Sequence, residues 1–200
     1  MIKAFLFDYG GVMSSGGKGT EPAERLATHL GIDFNEADGL LKRRLGDFVM
    51  GKISHDSLWK EIEALYGAPI SNDKRDIWNS WEKNLKPYPD MLALLSQLKT
   101  DGYTVGLLSN VVPHVAKDLQ EHGAYQLFDF TILSCEAGYA KPDKEIYELA
   151  LSKLPGVKPE EVIFVDDQER CLVPAKEMGM HTILAQNPTQ IKEDIHNLLS

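Results

Sequence analysis

The chain has 200 residues, of which 43% are hydrophobic and 26% charged, and its formal net charge is −9 at pH 7. This composition is typical of a globular protein and excludes disorder and fibrous repeats. The acidic excess argues against nucleic acid as a partner, because a phosphate backbone would be repelled. No apolar stretch approaches the ~20 residues that cross a bilayer, and Asp8 interrupts the first run too early for a signal peptide. With only two cysteines, we expect a soluble cytoplasmic protein that does not bind membranes.

Five short apolar runs predict the buried strands of one sheet. They are Ile2–Phe7, Thr104–Leu108, Phe130–Leu133, Val162–Val165 and the weaker Thr182–Leu184. Continuous apolarity is typical of parallel strands that helices cover on both faces. From Pro89 onward the runs alternate with amphipathic stretches, at Asp90–Asp101, Val111–His122, Lys144–Leu154 and Val173–Gly179. This alternation predicts an α/β fold with a Rossmann-like open parallel sheet.

One long stretch, residues 14–86, contains no convincing strand and interrupts the alternation after the first strand. It predicts amphipathic helices over Glu21–Leu30, Glu36–Val49 and Ser54–Tyr66. We interpret it as an inserted α-helical cap, entered through residues 14–17 and left through residues 87–89. Residues 1–13 and 87–200 would then form the core domain. A helical layer of the same domain is the alternative.

Carboxylates directly follow two of the predicted strands. Asp8 comes after the first strand, at the edge where parallel sheets bind ligands, and Gly10 and Gly11 allow close approach of the backbone to a ligand. Asp8 is a candidate nucleophile, although an acid beside two glycines is more often a turn former. Asp166 and Asp167 follow the fourth strand, and two adjacent acids need a cation or a lysine nearby. Hard carboxylate oxygens with few other ligands suit Mg²⁺.

Polar residues also follow the second strand and precede a predicted helix. Ser109 and Asn110 would present a hydroxyl and an amide at the same edge, or else cap the following helix. Lys141 precedes Pro142, which holds it out of a helix and in an extended loop. A single loop lysine is normally exposed to solvent. Taken in order, the chain is predicted to bring an acid, a hydroxyl, a lysine and an acid pair to one sheet edge.

That order resembles the four motifs of the haloacid dehalogenase superfamily, which match Asp8, Ser109, Lys141 and Asp166–Asp167 over essentially the whole chain. Residues 107–110, 134–143 and 164–167 are similar to the subgroup that contains the N-terminal phosphatase domain of soluble epoxide hydrolases. The run Gly51-Lys52-Ile53, followed by Trp59, also fits that subgroup.

The resemblance implies a hydrolase, a Mg²⁺-dependent phosphatase that acts on a small phosphorylated molecule through an aspartyl phosphate on Asp8. It implies that Mg²⁺ contacts Asp8, Asp167 and the Gly10 carbonyl. Asp166 would orient water on the metal, or Lys141.

The resemblance also implies the residues that bind the phosphoryl group. Ser109 and Asn110 would hydrogen-bond its oxygens, and the backbone at Gly10 and Gly11 would lie against it. Lys141 would offset the negative charge shared by the nucleophile and the substrate.

Two positions depart from the phosphatase pattern. Gly10 stands where the family carries a second Asp that protonates the leaving oxygen, and a positioned acid typically contributes about 10²–10⁴-fold. Cys171 stands where relatives carry Asp or Asn near the metal, and loss of such a partner weakens metal affinity. The alternatives are a 2-haloacid dehalogenase-like hydrolase, which also lacks the second Asp, and a catalytically weak phosphate-binding module.

The predicted cap offers basic side chains for an anionic substrate. The candidates are Lys18, Arg43, Arg44 and Lys52. A solvated basic face is the alternative for each of them. The sequence leaves the substrate and the oligomeric state open, with a homodimer among the options.

Overall fold

The computed structural model describes residues 1–16, 21–75 and 85–200. Within these ranges the strands are β1 (Ala4–Phe7), β2 (Thr104–Ser109), β3 (Phe130–Leu133), β4 (Val162–Asp166) and β5 (His181–Leu184). The helices are α1 (Glu21–Leu30), α2 (Phe34–Lys42), α3 (Leu45–Val49), α4 (His55–Tyr66), α5 (Asn72–Arg75), α6 (Pro89–Thr100), α7 (Pro113–Glu121), α8 (Ser134–Ala137), α9 (Lys144–Ser152), α10 (Glu169–Glu177) and α11 (Pro188–Leu199), with a short 3₁₀ helix at Pro159–Glu161.

The five strands form one parallel sheet in the order β3-β2-β1-β4-β5. All four residues of the central strand β1 are buried, as its continuous apolar run predicts. Phe7 pairs with Leu107 on one side and with Val165 on the other. The residues that follow these three positions therefore lie level at one sheet edge. The predicted α/β, Rossmann-like class is confirmed.

Apolar side chains fill both faces of the sheet. Phe5 and Phe7 point to one face, in a cluster that also includes Trp59 of α4. Leu6 points to the other face, in a cluster with Tyr147 of α9. Successive strand residues alternate between the two faces, so both sides of the sheet are covered and its edge is left for polar groups.

Two predicted helices have different bounds in the structure. The single helix predicted over Glu36–Val49 is wrong: α2 and α3 are separate, because Arg44 has non-helical φ and ψ of −133° and −9°. Its guanidinium lies 2.8 Å from Asp47 and 2.6 Å from Glu61. The helix predicted over Val173–Gly179 begins at Glu169 instead. It starts with the exposed, charged Glu169 and Arg170, which give no apolar signal, although Cys171 and Leu172 after them are buried. The first strand is also shorter than predicted, since Ile2 and Lys3 precede the buried part of the sheet.

Helices alone connect β1 to β2 in the described part of this stretch, apart from isolated bridges that join Ser14 to Gly10 and to Pro87. We call residues 21–75 the helical segment. The helices predicted over Glu21–Leu30 and Ser54–Tyr66 are present, the second with Ser54 as its N-cap. None of the described helices has the length and apolarity needed to cross a bilayer. The division into a cap of residues 14–86 and a core domain stays a prediction.

Candidate active site

A cavity of about 70 Å³ lies where β1 and β2 end. Five residues predicted for the site line it, namely Asp8, Gly10, Ser109, Asn110 and Lys141. They meet because neighbouring parallel strands end at the same edge of the sheet. The Ser109 hydroxyl makes no hydrogen bond with the described residues, so it is available to a ligand in this cavity.

Three carboxylates form an acidic cluster at this edge. One oxygen each of Asp8, Asp166 and Asp167 lies within 4.8 Å of the other two. Burial raises the pKa of Asp166 to about 6, although Lys141 acts in the opposite direction. Burial and the neighbouring Asp8 raise the pKa of the Asp167 carboxyl. Like charges held this closely are costly unless a cation compensates them.

The cluster fits a divalent cation with oxygen ligands. Oδ1 of Asp167 is buried, and no described residue donates a hydrogen bond to it. Asp166 is different, because its Oδ1 accepts a hydrogen bond from the backbone N–H of Gln168 at 2.8 Å and its Oδ2 accepts one from Lys141 at 2.6 Å. Asp8 and Asp167 therefore have the freer oxygens, of the hard type that Mg²⁺ prefers.

Lys141 compensates part of this negative charge. Its ammonium is buried, 3.0 Å from Oδ1 of Asp8 and 2.6 Å from Oδ2 of Asp166, and it also donates to the Leu108 carbonyl at 2.8 Å. Burial alone would lower the pKa of Lys141, but the carboxylates of Asp8 and Asp166 outweigh burial and raise it. The side chain is therefore cationic, and it makes an ion pair with Asp8 in addition to its two hydrogen bonds.

The Asn110 amide holds the backbone of Lys141. Its Oδ1 accepts a hydrogen bond from the Lys141 N–H, and its Nδ2 donates to the Lys141 carbonyl, both at 2.8 Å. One N–H of the amide remains for another acceptor. The contact between Asn110 and a phosphoryl group stays a prediction. The structure shows in addition that this side chain fixes the backbone of Lys141.

Gly11 allows the backbone to pass directly against Asp167. Its φ is +73°, in the region that favours glycine, and a Cβ at this position would overlap the Asp167 carboxylate. Gly11 therefore allows the Asp167 carboxylate to lie directly against the backbone. Turn formation alone would not explain this requirement for glycine.

We expect Gly11→Ala to weaken Mg²⁺ binding by about tenfold or more, because the added methyl group must displace a carboxylate of the cluster. Isothermal titration with MgCl₂ measures the effect. Gly31→Ala is the matched control, since Gly31 has a φ of +70° but no atom within 4 Å of an added Cβ. Equal Mg²⁺ affinity in both variants would show that Asp167 does not contribute to metal binding.

Three further residues with polar side-chain groups line the cavity and were missed as site residues. Tyr9 donates a hydrogen bond to the Leu85 carbonyl at 2.9 Å, and burial raises its pKa to about 12. Gln168 and Cys171, which follow the acid pair Asp166–Asp167 in the chain, also line the cavity. Cys171 was noted only as a departure from a family pattern, and burial raises the pKa of its thiol to about 12. Tyr9 could have been predicted as a site residue from the sequence, because it directly follows the candidate nucleophile Asp8.

The structure does not bring the basic residues of the helical segment to this cavity. Arg44 is paired with Asp47 and Glu61, and Arg43 and Lys52 are exposed. The Lys52 ammonium donates a hydrogen bond to the Met50 sulfur at 3.3 Å. Lys18 lies outside the described residues. Substrate binding by these residues stays a prediction.

A sequence model of the haloacid dehalogenase-like hydrolases matches residues 2–179. The chain belongs to this family. The glyceraldehyde 3-phosphate phosphatase of Methanocaldococcus jannaschii is 30% identical over 92% of this chain and 84% of its own length. The bifunctional epoxide hydrolase 2 of Rattus norvegicus is 32% identical over 54% of this chain, which corresponds to 20% of that protein. The chain thus spans about a fifth of the epoxide hydrolase.

A solved structure of a haloacid dehalogenase family enzyme from Bacteroides thetaiotaomicron, in complex with magnesium and inorganic phosphate, has a similar fold. The TM-score is 0.74 with 27% identity, covering 94% of this chain and 96% of that one. The predicted superfamily and the predicted enzyme class, a hydrolase related to phosphatases, are confirmed.

Proposed function

We propose that this haloacid dehalogenase-like hydrolase is a Mg²⁺-dependent phosphatase of small phosphorylated molecules. The observation that carries the proposal is the buried lysine between two carboxylates, beside a third carboxylate with an unpartnered oxygen. This arrangement favours a metal and an anionic substrate.

Asp8 is the proposed nucleophile. Its carboxylate oxygen attacks phosphorus in line with the leaving oxygen, so that a carboxylate–phosphorus bond forms while the bond to the leaving oxygen breaks. Water then attacks phosphorus, restores the carboxylate and releases inorganic phosphate. Lys141 lies 3.0 Å from this carboxylate and offsets part of its negative charge next to an anionic substrate.

The remaining groups of the cavity bind and orient the phosphoryl group in this proposal. The Ser109 hydroxyl donates to a phosphoryl oxygen, and the free N–H of Asn110 donates to another. Asp8, Asp167 and the Gly10 carbonyl hold Mg²⁺, while Asp166 holds Lys141. When bound, Mg²⁺ supplies positive charge that attracts the phosphoryl oxygens.

The substrate class is proposed from both the cavity and the relatives. The archaeal relative acts on glyceraldehyde 3-phosphate, as its name states, and a small phosphorylated metabolite of that kind has a short organic part. One part of the cavity wall is apolar, formed by Leu85, Val111, Val115 and Leu119. A compact leaving group is therefore the best match.

The test is hydrolysis of p-nitrophenyl phosphate, glyceraldehyde 3-phosphate, acetyl phosphate and 2-chloropropionate, each with MgCl₂ and with EDTA. We expect phosphate release only with Mg²⁺ and no chloride release. Metal-independent chloride release would favour the dehalogenase-like alternative. Gly10, which stands in place of the second Asp, is the feature that supports this alternative. Phosphate binding without any turnover would leave a binding module.

Gly10 leads to a prediction about the leaving group. We expect Gly10→Asp to speed hydrolysis of alkyl phosphates by up to about 10²–10⁴-fold, because a carboxylic acid there would protonate the leaving oxygen. Acetyl phosphate should gain little, since its leaving group needs no proton. Steady-state rates on both substrates measure the difference.

Gly10→Asn is the matched control, as it adds similar bulk without an acid. Circular dichroism and a melting curve establish that both variants are folded. A folded Gly10→Asp protein with no gain on any phosphoester would contradict the role assigned to the missing acid.

A further inference from the structure

Ser134, the first residue of α8, is completely buried and does not line the catalytic cavity. Its hydroxyl oxygen accepts a hydrogen bond from the backbone N–H of Val111 at 2.9 Å. It donates to the carbonyl of Val49 at 2.8 Å. One side chain therefore connects the loop after β2 with the end of α3 in the helical segment.

The Val49 carbonyl is the last of α3, and such carbonyls have no partner within their own helix. Ser134 supplies the missing donor. The Val111 carbonyl is also within 3.3 Å of the hydroxyl, so the single hydroxyl hydrogen has two acceptors and takes the nearer one. If α3 moved away, the Val49 carbonyl would no longer be within reach. The Ser134 hydroxyl would then donate to the Val111 carbonyl, which would change the hydrogen bonding of the loop.

Val111 lines the catalytic cavity and follows directly after Ser109 and Asn110. Its N–H is a buried donor that needs an acceptor. The Ser134 oxygen thus holds the loop that carries the Ser109 hydroxyl and the Asn110 amide. A shift of this loop would move both groups relative to Asp8.

A second contact brings the turn after α3 against the same helix α8. Gly51 has a φ of +68°, and a Cβ there would overlap the backbone carbonyl of Cys135. Only glycine permits this approach, which explains the glycine of the Gly51-Lys52-Ile53 run. Phe48 of α3 also stacks on His114 of α7, with ring centroids 6.1 Å apart.

We propose that Ser134 is a positioning residue, which couples the docking of α3 against α8 to the geometry of the loop 109–111. The chain of bonds runs from the Val111 N–H to the Ser134 oxygen and from the Ser134 hydroxyl to the Val49 carbonyl. Each bond in such a chain strengthens the other. For its effect on catalysis, this proposal rests on the proposed function.

Amide hydrogen exchange at Val111, resolved by NMR, tests the coupling without any assay of activity. Ser134→Ala should accelerate it by about tenfold, as expected for the loss of one hydrogen bond. Ser14→Ala is the matched control, because Ser14 is equally buried but its hydroxyl has no partner among the described residues. Ser134→Thr keeps the hydroxyl and should restore slow exchange.

Gly51→Ala tests the coupling from the other end, because the atoms nearest to an added Cβ at Gly51 belong to Cys135 and not to Val111. It should accelerate exchange both in residues 50–53 and at Val111. Gly67→Ala, with a φ of +82° and no atom within 4 Å of an added Cβ, is the control for backbone strain. The double variant of Ser134 and Gly51 should match Ser134→Ala at Val111, since both changes break one chain of bonds.

The functional readout is the dissociation constant of inorganic phosphate in the presence of Mg²⁺. Ser134→Ala and Gly51→Ala should raise it by about threefold to tenfold, with both controls unchanged. Unchanged Val111 exchange in Ser134→Ala, or acceleration confined to residues 50–53 in Gly51→Ala, would overturn the coupling. If Ser134→Ala does not fold, Ser134→Cys carries the same comparison. Failure to hydrolyse any phosphoester would remove the proposed function but would leave the exchange result valid.

Discussion

Asp8→Asn is expected to lower turnover of every phosphoester by more than about 1,000-fold, because an amide cannot replace the carboxylate as the attacking group. The substitution keeps the size of the side chain in a buried position. It also removes one negative charge from a cluster of three carboxylates. We therefore expect the melting temperature to be unchanged or higher, so that the loss is chemical and not a loss of fold.

The measurement is initial rates over a range of Mg²⁺ concentrations, with a melting curve for each protein. A transient phosphoprotein, trapped by rapid acid quench, should form in the wild type and be absent from the variant. Normal turnover in a folded Asp8→Asn protein would exclude the covalent mechanism.

Lys141→Met is expected to lower both activity and stability. The ammonium is buried between Asp8 and Asp166, and removal of one partner leaves buried charges uncompensated, at a cost of about 3–5 kcal/mol. For a domain of this size, such a loss lowers the melting temperature by about 6–20 °C. Differential scanning calorimetry measures it, and initial rates should fall to the background of the assay.

Two further variants separate charge from packing. Lys144→Met removes an exposed lysine that pairs with Glu148 at 2.8 Å, and it should lower the melting temperature far less than Lys141→Met, because a solvated surface ion pair contributes little to stability. The double variant Lys141→Met, Asp166→Asn should regain part of the stability, because it also removes a buried negative charge. A Lys141→Met protein as stable as Lys144→Met would show that the acidic cluster does not need this cation.

The parts of the site that the sequence predicted are those attached to regular strands. Apolar runs indicated β1, β2 and β4, and parallel strands end at one edge. The presence of Asp8, Ser109 and Asp166 at one edge of the sheet therefore followed from the pattern. Helix bounds were harder to predict, since α10 begins with the charged, exposed Glu169 and Arg170, which give no apolar signal.

What the sequence by itself determined was the fold class, the sheet edge at which the acids lie, and the resemblance to a family. The tertiary structure alone decided which long-range polar contacts form, because such contacts depend on loops whose paths no local pattern specifies. The Asn110 amide pairs with the Lys141 backbone, the Ser134 hydroxyl connects Val111 to Val49, and Arg44 turns to Glu61. Each of these joins segments far apart in the chain, and each forms because a buried or paired polar group requires a partner when the chain folds.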